Sequence, residues 1–245
     1  MNDDGPFFLE FTKKEKLAAD TFTFFFKRNG TERPFISGQY YEMKLPHSNM
    51  DERGDSRVFT ISSSPTNTEF ITITTRIIQS TFKLTLGELK PGEKVQFDGP
   101  WDDLNFDERD ASPHVFLAGG IGLTPYHSII QYCLDKGIQR KMTLFVSWKT
   151  QSDIIFDDFF RKAEDTLKDF TYVPTLTEEK SLSTDLWDRE IGRIDEKMIK
   201  KYVQDIKKSL YYFSGPPSMV NALKDTVVRM GVSKEKIIAE EFEGY

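Results

Sequence analysis

Cysteine is nearly absent: the 245-residue chain holds one, Cys133. A single thiol excludes an internal disulfide. It also excludes a cysteine-held iron–sulfur cluster, which takes about four thiolates, or two with two histidines in the Rieske type. Histidine is scarce too. His47, His114 and His127 lie far apart and match no metal-ligand spacing. No hydrophobic run nears the ~18 residues that a membrane-spanning helix needs. Met1-Asn2-Asp3-Asp4 is not a basic-then-apolar leader, so the sequence predicts a cytoplasmic protein. Acidic residues outnumber basic ones, 39 against 33, for a net charge of −6. That balance argues against sequence-independent nucleic-acid binding.

Aromatic residues are plentiful. They make up 13% of the chain, with 21 Phe, inside a hydrophobic fraction of 38%. A disordered chain does not have this composition, and the length suits two domains of about 100–150 residues. The two halves carry different periods. From Phe7 to about Asp107, short stretches alternate with period two, as in Thr21-Phe22-Thr23-Phe24, Ile71-Thr72-Ile73-Thr74 and Val95-Gln96-Phe97-Asp98. Turn signals such as Asn29-Gly30, Pro91-Gly92 and Gly99-Pro100 separate them, which predicts an antiparallel β-barrel or sandwich. Phe24-Phe25-Phe26 interrupts the alternation and predicts a bulge or burial on both sides.

After Ser112 strands and helices alternate. Strands are expected at His114–Ala118, Met142–Val146, Phe170–Val173, Tyr211–Phe213 and Ile237–Ala239. Helices are expected from Thr124, from Phe159 to about Leu167, and from Met219 to Met230. Thr124 would cap the first, Pro125 would take its first position and Gly137 would end it. This order predicts an α/β domain with a parallel sheet covered on both faces. The boundary is expected near 108–112, giving domains 1–109 and 110–245.

Five segments are candidates for chemistry. In Gly119-Gly120-Ile121-Gly122-Leu123-Thr124-Pro125, glycines let backbone approach a ligand, and a helix N-terminus attracts phosphate. A tight strand-to-helix turn that binds nothing fits the same residues. Pro125 stands where a dinucleotide fingerprint would have its third glycine, and no acid ends the following strand. Ser147-Trp148-Lys149 ends it instead, and a hydroxyl with a cation suits an extra phosphate, hence NADPH ahead of NADH. Arg57-Val58-Phe59-Thr60 offers a guanidinium for a pyrophosphate, a flat ring and a hydroxyl, although a plain edge strand would look alike. Ser80-Thr81-Phe82-Lys83 reads as a capped short helix that could also hold phosphate. Ser214-Gly215-Pro216-Pro217 lies at a strand's carboxyl end, where open sheets bind ligands. The last is the terminal Glu240-Glu241-Phe242-Glu243-Gly244-Tyr245.

In this order, and with Gly99-Pro100-Trp101 between them, the segments resemble the ferredoxin–NADP(+) reductase family of flavoproteins over about residues 7–245. The resemblance implies an N-terminal barrel that binds FAD and a C-terminal α/β domain that binds the nicotinamide dinucleotide. It implies that Arg57 pairs with the flavin pyrophosphate, Phe59 packs on the isoalloxazine and Thr60 bonds near N5. The family usually has Tyr and Ser at these last two positions, so Phe59 keeps the ring and lacks the hydroxyl. Val58 and Thr74 belong to the same implied cofactor set, and Ser80, Thr81, Phe82 and Lys83 to the second phosphate segment. Gly120, Gly122, Thr124, Ser147, Lys149, Arg193, Gly215 and Pro216 would meet the nicotinamide dinucleotide. Ser214 stands where many members have Cys, beside the hydride-transfer point, and Phe242 where a terminal aromatic covers the flavin. Thr60, Ser214 and Phe242 are thus the implied catalytic set, with no metal.

The implied activity passes a hydride from NADPH or NADH to flavin, then single electrons to a separate carrier such as ferredoxin or flavodoxin. Two alternatives remain at this point: reduction of a diffusible small acceptor (free flavin or a ferric chelate), and a non-catalytic FAD-binding subunit of a larger complex. A monomer is expected. Lys13-Lys14-Glu15-Lys16 and Lys27-Arg28 are candidate docking charges for an acidic carrier. Asp98, Asp102 and Asp103 read as solvated turn residues.

Overall fold

The computed structural model describes residues 5–48, 50–78, 80–102, 104, 106–178, 187 and 189–241. The chain divides into two compact units: Met1–Phe106 with His127–Tyr132, and Asp107–Tyr126 with Cys133–Tyr245.

The first unit contains strands β1 (Phe7–Lys16), β2 (Thr21–Lys27), β3 (Tyr40–Lys44), β4 (Ser56–Thr60) and β5 (Phe70–Arg76), helix α1 (Thr81–Glu88) and strand β6 (Lys94–Trp101). The strands pair antiparallel in the order β4-β3-β6-β1-β2-β5. An antiparallel bridge between Ile61 and Ile73 joins the two ends and closes the barrel. Alternation decides which side chains fill it. Leu9 and Phe11, Phe24 and Phe26, Ile71 and Ile73 all point inward and are fully buried. Each such side chain contributes about 1.5–3 kcal/mol of transfer free energy. The expected bulge is not in the phenylalanine run: β2 keeps its alternation, and the register shift lies in its partner, between Phe11 and Lys13. Phe25 points outward, where the Phe70 ring (5.7 Å, edge-on) and the Lys13 ammonium (4.6 Å from the ring centre) cover it.

The second unit runs β7 (His114–Gly119), α2 (Thr124–Lys136, of which His127–Tyr132 belongs to the first unit), β8 (Met142–Trp148), α3 (Asp157–Thr166), β9 (Phe170–Leu176), β10 (Glu190–Ile191), α4 (Glu196–Tyr202), β11 (Leu210–Gly215), α5 (Pro217–Arg229) and β12 (Ile237–Glu241). All six strands are parallel, in the order β10-β9-β8-β7-β11-β12. Every residue of β7 is buried, as a strand covered on both faces requires. The order reverses beside β7, which makes the carboxyl ends of β7 and β11 the topological switch point.

Three boundaries differ from expectation. A 3-10 turn, Gly120–Leu123, runs straight into α2, so Thr124 is a helical residue and not a side-chain cap; Leu123 precedes it in helical conformation. Gly137 ends α2 in the left-handed conformation (φ 66°), as predicted. Helix α3 starts two residues earlier than expected, with Asp157 and Asp158 complementing its dipole, and α5 starts at Pro217. Strand β10 and helix α4 had no clear pattern because they are two and seven residues long.

Candidate functional site

In the first unit the aromatic ring of Phe82 is a hub. Phe59 lies 5.9 Å away at 31°, His47 meets it edge-on at 5.9 Å, and the Arg57 guanidinium sits 5.2 Å above its centre. The Arg57 Nη1 donates to the carbonyls of Arg53 (3.1 Å), Gly54 (3.0 Å) and Ser56 (2.6 Å), and its Nη2 binds Asp51 at 2.7 Å. Arg57 therefore stitches the loop before β4 while holding its charge at the strand's edge. Hydrogen bonds from Arg53, then from Arg57, hold the Asp51 carboxyl down at about 2. Lys83, half-buried next to Phe82, has its ammonium disfavoured by burial and then by Arg53, Arg76 and Arg57. Lys83 thus feels three arginines, two of which are bound to the Asp51 carboxylate. Like charges gathered at one place repel in the empty chain and attract a polyanion.

Two hydroxyls there lack what buried hydroxyls normally have. Thr60 is 4% exposed and its Oγ1 has no hydrogen-bond partner. Ser80 precedes α1 without capping it, and its buried Oγ is also unpartnered. An unmet buried hydrogen bond costs about 1–3 kcal/mol, so each asks for a missing partner. A phosphate-bearing, hydrogen-bonding planar group such as FAD fits this set of donors. Other predicted positions are otherwise engaged. Thr81 Oγ1 meets His47 Nε2 at 3.2 Å. Thr74 Oγ1 bonds Thr23 Oγ1 (2.8 Å) and Ser62 Oγ (2.9 Å) on the buried outer face of β5. Val58 points out of β4 and is 57% exposed, away from buried Phe59.

The second unit's candidate site is made of backbone. A Cβ on Gly122 would lie 2.3 Å from the Ser214 carbonyl oxygen and 2.9 Å from the Gly215 nitrogen. A Cβ on Gly215, in turn, would lie 3.0 Å from the Gly119 nitrogen. These glycines let the end of β11 close on the turn after β7. Gly120 differs, since its φ is +53° and nothing lies within 4 Å of its missing Cβ, so it borders open space. Ser214 is fully buried with its Oγ unpartnered, in register with Ala118 on one side and Glu240 on the other. Pro216 follows directly, before α5. Thr124 is buried at the start of α2.

Along the same sheet edge, Ser147 pairs in register with Gly119 and Thr175. Lys149 lies beyond it, 3.5 Å from Glu178, both largely exposed (68% and 59%). The Glu178 amide donates to the Lys149 carbonyl, so an acid does stand at the end of β8, brought there by the next strand. Gly192 turns at φ +101° and its carbonyl accepts from Thr175 Oγ1 at 2.6 Å, which leaves Arg193 exposed at this edge. Phe242 lies outside the described residues, as do Asp103 and residues 243–245.

Sequence reasoning missed His47, Arg53, Arg76 and Glu178. No local spacing marks them, because each reaches its place through tertiary folding. Two expectations need correction. Lys13 pairs with Glu15, Lys14 donates to the Gly87 carbonyl and Lys16 lies over Phe22, while Arg28 is tied to Glu32 and the Asn67 carbonyl. These basic runs mainly hold the barrel. Asp98 is a strand residue in β6, 3.4 Å from Arg33, and Asp102 accepts from Gln39, so neither is simply solvated. Among the described residues no group of three His, Cys, Asp or Glu side chains is placed to hold a metal ion. Among the described residues, no helix is long and apolar enough to cross a membrane.

Residues 116–225 match the oxidoreductase NAD-binding domain family. The reductase component DmpP of phenol 2-monooxygenase, from a Pseudomonas species, is 24% identical over 211 residues, 85% of this chain and 58% of that one. The cytochrome b5 reductase domain of Ulva prolifera nitrate reductase superposes with a TM-score of 0.82 at 19% identity, covering 98% of both chains. A ferredoxin NADP+ reductase from Neisseria gonorrhoeae superposes with a TM-score of 0.79 at 18% identity, covering 96% of this chain and 98% of that one. The resemblance read from the motifs stands at the level of fold: the chain has the two-domain fold of these solved reductases, and residues 116–225 are similar to the NAD-binding domain family. It spans between 55% and 61% of the length of the first curated relatives it matches.

Proposed function

We propose that this chain is an FAD-dependent NAD(P)H reductase that passes electrons onward to a separate one-electron carrier, such as a ferredoxin or flavodoxin. The observation that carries the reading is the convergence of Lys83, Arg53, Arg57 and Arg76 beside the unpartnered hydroxyls of Thr60 and Ser80. In this reading the cations hold the cofactor's pyrophosphate. Phe59 and Phe82 form the apolar wall, and Thr60 gives its free hydrogen bond to the ring system. Bound FAD supplies the chemistry the chain lacks, accepting two electrons as hydride and releasing them one at a time. The chain's own task is to bind, orient and exclude water, so no acid–base triad is needed.

At the switch point, Gly120 and the turn before α2 would receive the nicotinamide dinucleotide's pyrophosphate. Ser147, Lys149 and Arg193 would hold its ribose and phosphate ends, with NADPH ahead of NADH, and Ser214, Gly215 and Pro216 would border the nicotinamide. Phe242 belongs to the same proposal as the cover of the flavin ring. With one cysteine among them, these 245 residues hold no cysteine-ligated cluster, which supports an acceptor outside them. The named relative is likewise a reductase component. The reading also has the protein acting as a cytoplasmic monomer.

Purified protein should be yellow, and anaerobic NADPH should bleach the flavin band. No bleaching with either nicotinamide cofactor rules the reading out. Turnover with an artificial one-electron acceptor then tests the onward transfer.

A further inference from the structure

The segment Ser62–Ser64 leaves β4 two residues after Thr60 and is buried throughout. Its Ser62 and Ser63 are fastened to β5. The Ser62 amide donates to the Thr72 carbonyl (2.9 Å), Ser62 Oγ donates to the same oxygen (3.0 Å), and the Thr72 amide donates to Ser63 Oγ (3.1 Å). Its carbonyls take donors from elsewhere. The Ser62 carbonyl lies 2.8 Å from His127 Nδ1, and the Ser63 carbonyl accepts from Ser128 Oγ at 2.7 Å. The donors are successive residues of α2, and the acceptors are successive residues of the segment. The Ser128 carbonyl in turn accepts from Ser37 Oγ at 3.3 Å.

A carbonyl oxygen only accepts, so His127 must carry its proton on Nδ1 to make this bond. Burial keeps the ring neutral, with its protonation pushed down to about 4. A neutral ring with one committed N–H is a rigid donor, unlike a lysine that could swing away. The two bonds clamp a buried stretch directly behind a threonine whose own hydroxyl is unpartnered.

We propose that His127 and Ser128 are positioning residues: by gripping the Ser62 and Ser63 carbonyls they fix where the Thr60 hydroxyl meets the flavin. This rests on the flavoprotein reading above. Small displacements of an orienting group cost one to two orders of magnitude in rate, so the clamp matters for function beyond its share of stability.

The test compares His127→Leu, which removes the donor, with His127→Asn, whose side-chain N–H lies near the place of Nδ1. Each full chain is reconstituted with FAD and desalted. The visible flavin band, the anaerobic reduction rate and the KM for NADPH are then measured. Amide exchange at Ser62–Ser64 is followed without FAD. The leucine variant is expected to show a shifted band, faster exchange and a reduction rate lower by about 10–100-fold with KM unchanged. The asparagine variant should recover most of each. A leucine variant that binds FAD with wild-type band and rate overturns the proposal, as does an asparagine variant no better than leucine. If the leucine variant does not fold, Ser128→Ala carries the test: the same changes, smaller, support the clamp, and wild-type behaviour sinks it. Wild-type protein that stays colourless after desalting instead refutes the flavoprotein reading, which separates the two failures.

Discussion

The two units prepare for phosphate by opposite means. The first gathers side chains, bringing three arginines and a lysine together at one place. The second clears side chains away, so that glycine backbone from two strand ends meets at contact distance. Burial, and then the neighbouring arginines, disfavour the Lys83 ammonium in the first. Steric closeness defines the second whether or not anything binds. Substitutions should therefore fail differently: loss of charge should weaken binding in the first, and gain of a methyl group should break structure in the second.

The largest effect is expected at Gly122. An alanine there drives Cβ into the Ser214 carbonyl, which is backbone and cannot swing aside. Gly122→Ala should destabilise the chain by about 3 kcal/mol or more in urea unfolding. Gly120→Ala faces open space and strains only its φ of +53°, for about 1 kcal/mol. Equal losses would break the account of the second site.

Acid comes next, and it probes both units. His127 in the first and His114 in the second are both held near 4, chiefly by burial, against an unfolded value of 6.5. Between these values the unfolded chain binds a proton that the native chain refuses. Stability should therefore be full above pH ~6.5 and fall toward pH ~4, by about 3 kcal/mol per histidine. Unfolding midpoints against pH check this, and His114→Asn should flatten part of the slope. A pH-independent midpoint over this range would refute it.

Lys83→Gln sharpens the contrast at the first site. It relieves the repulsion from Arg53, Arg76 and Arg57, so the flavin-free chain should be no less stable. FAD affinity in a fluorescence titration should drop about 10–100-fold, with a shallower salt dependence. Lower stability with unchanged affinity would make Lys83 structural. The smallest effect is expected at the exposed pair. Lys149→Ala should lower kcat/KM for NADPH about 3–10-fold and leave NADH unchanged. Its stability should change by less than about 1 kcal/mol, since the bridge to Glu178 is solvent-screened. Equal losses for both dinucleotides would remove its phosphate role.

The same contrast explains what could be read from the sequence. Period-two runs and strand–helix alternation gave the two sheets, because burial imposes those periods on any chain. The glycine turn and the Ser214-Gly215-Pro216 end were visible because both are contiguous. The cation cluster was only half visible. Arg57 and Lys83 sit in readable segments, whereas Arg53 lies in a charged loop and Arg76 at the end of β5. Their convergence is a product of barrel closure, which has no local signature. Glu178 escaped for a related reason, since the acid sought at the end of β8 is supplied by the segment after β9. The cap assigned to Thr124 failed because a 3-10 turn continues into α2, leaving no non-helical residue to cap it.

The barrel's hydroxyl ladder has one more property. Thr23, Thr74, Ser62 and Thr72 touch oxygen to oxygen at 2.8–2.9 Å. The Ser62 hydroxyl gives its one proton to the Thr72 carbonyl, so it accepts from both Thr72 and Thr74, and the Thr74 hydroxyl in turn accepts from Thr23. The outer wall of the β-barrel thus carries a file of small magnets set in one sense, two residues from Thr60.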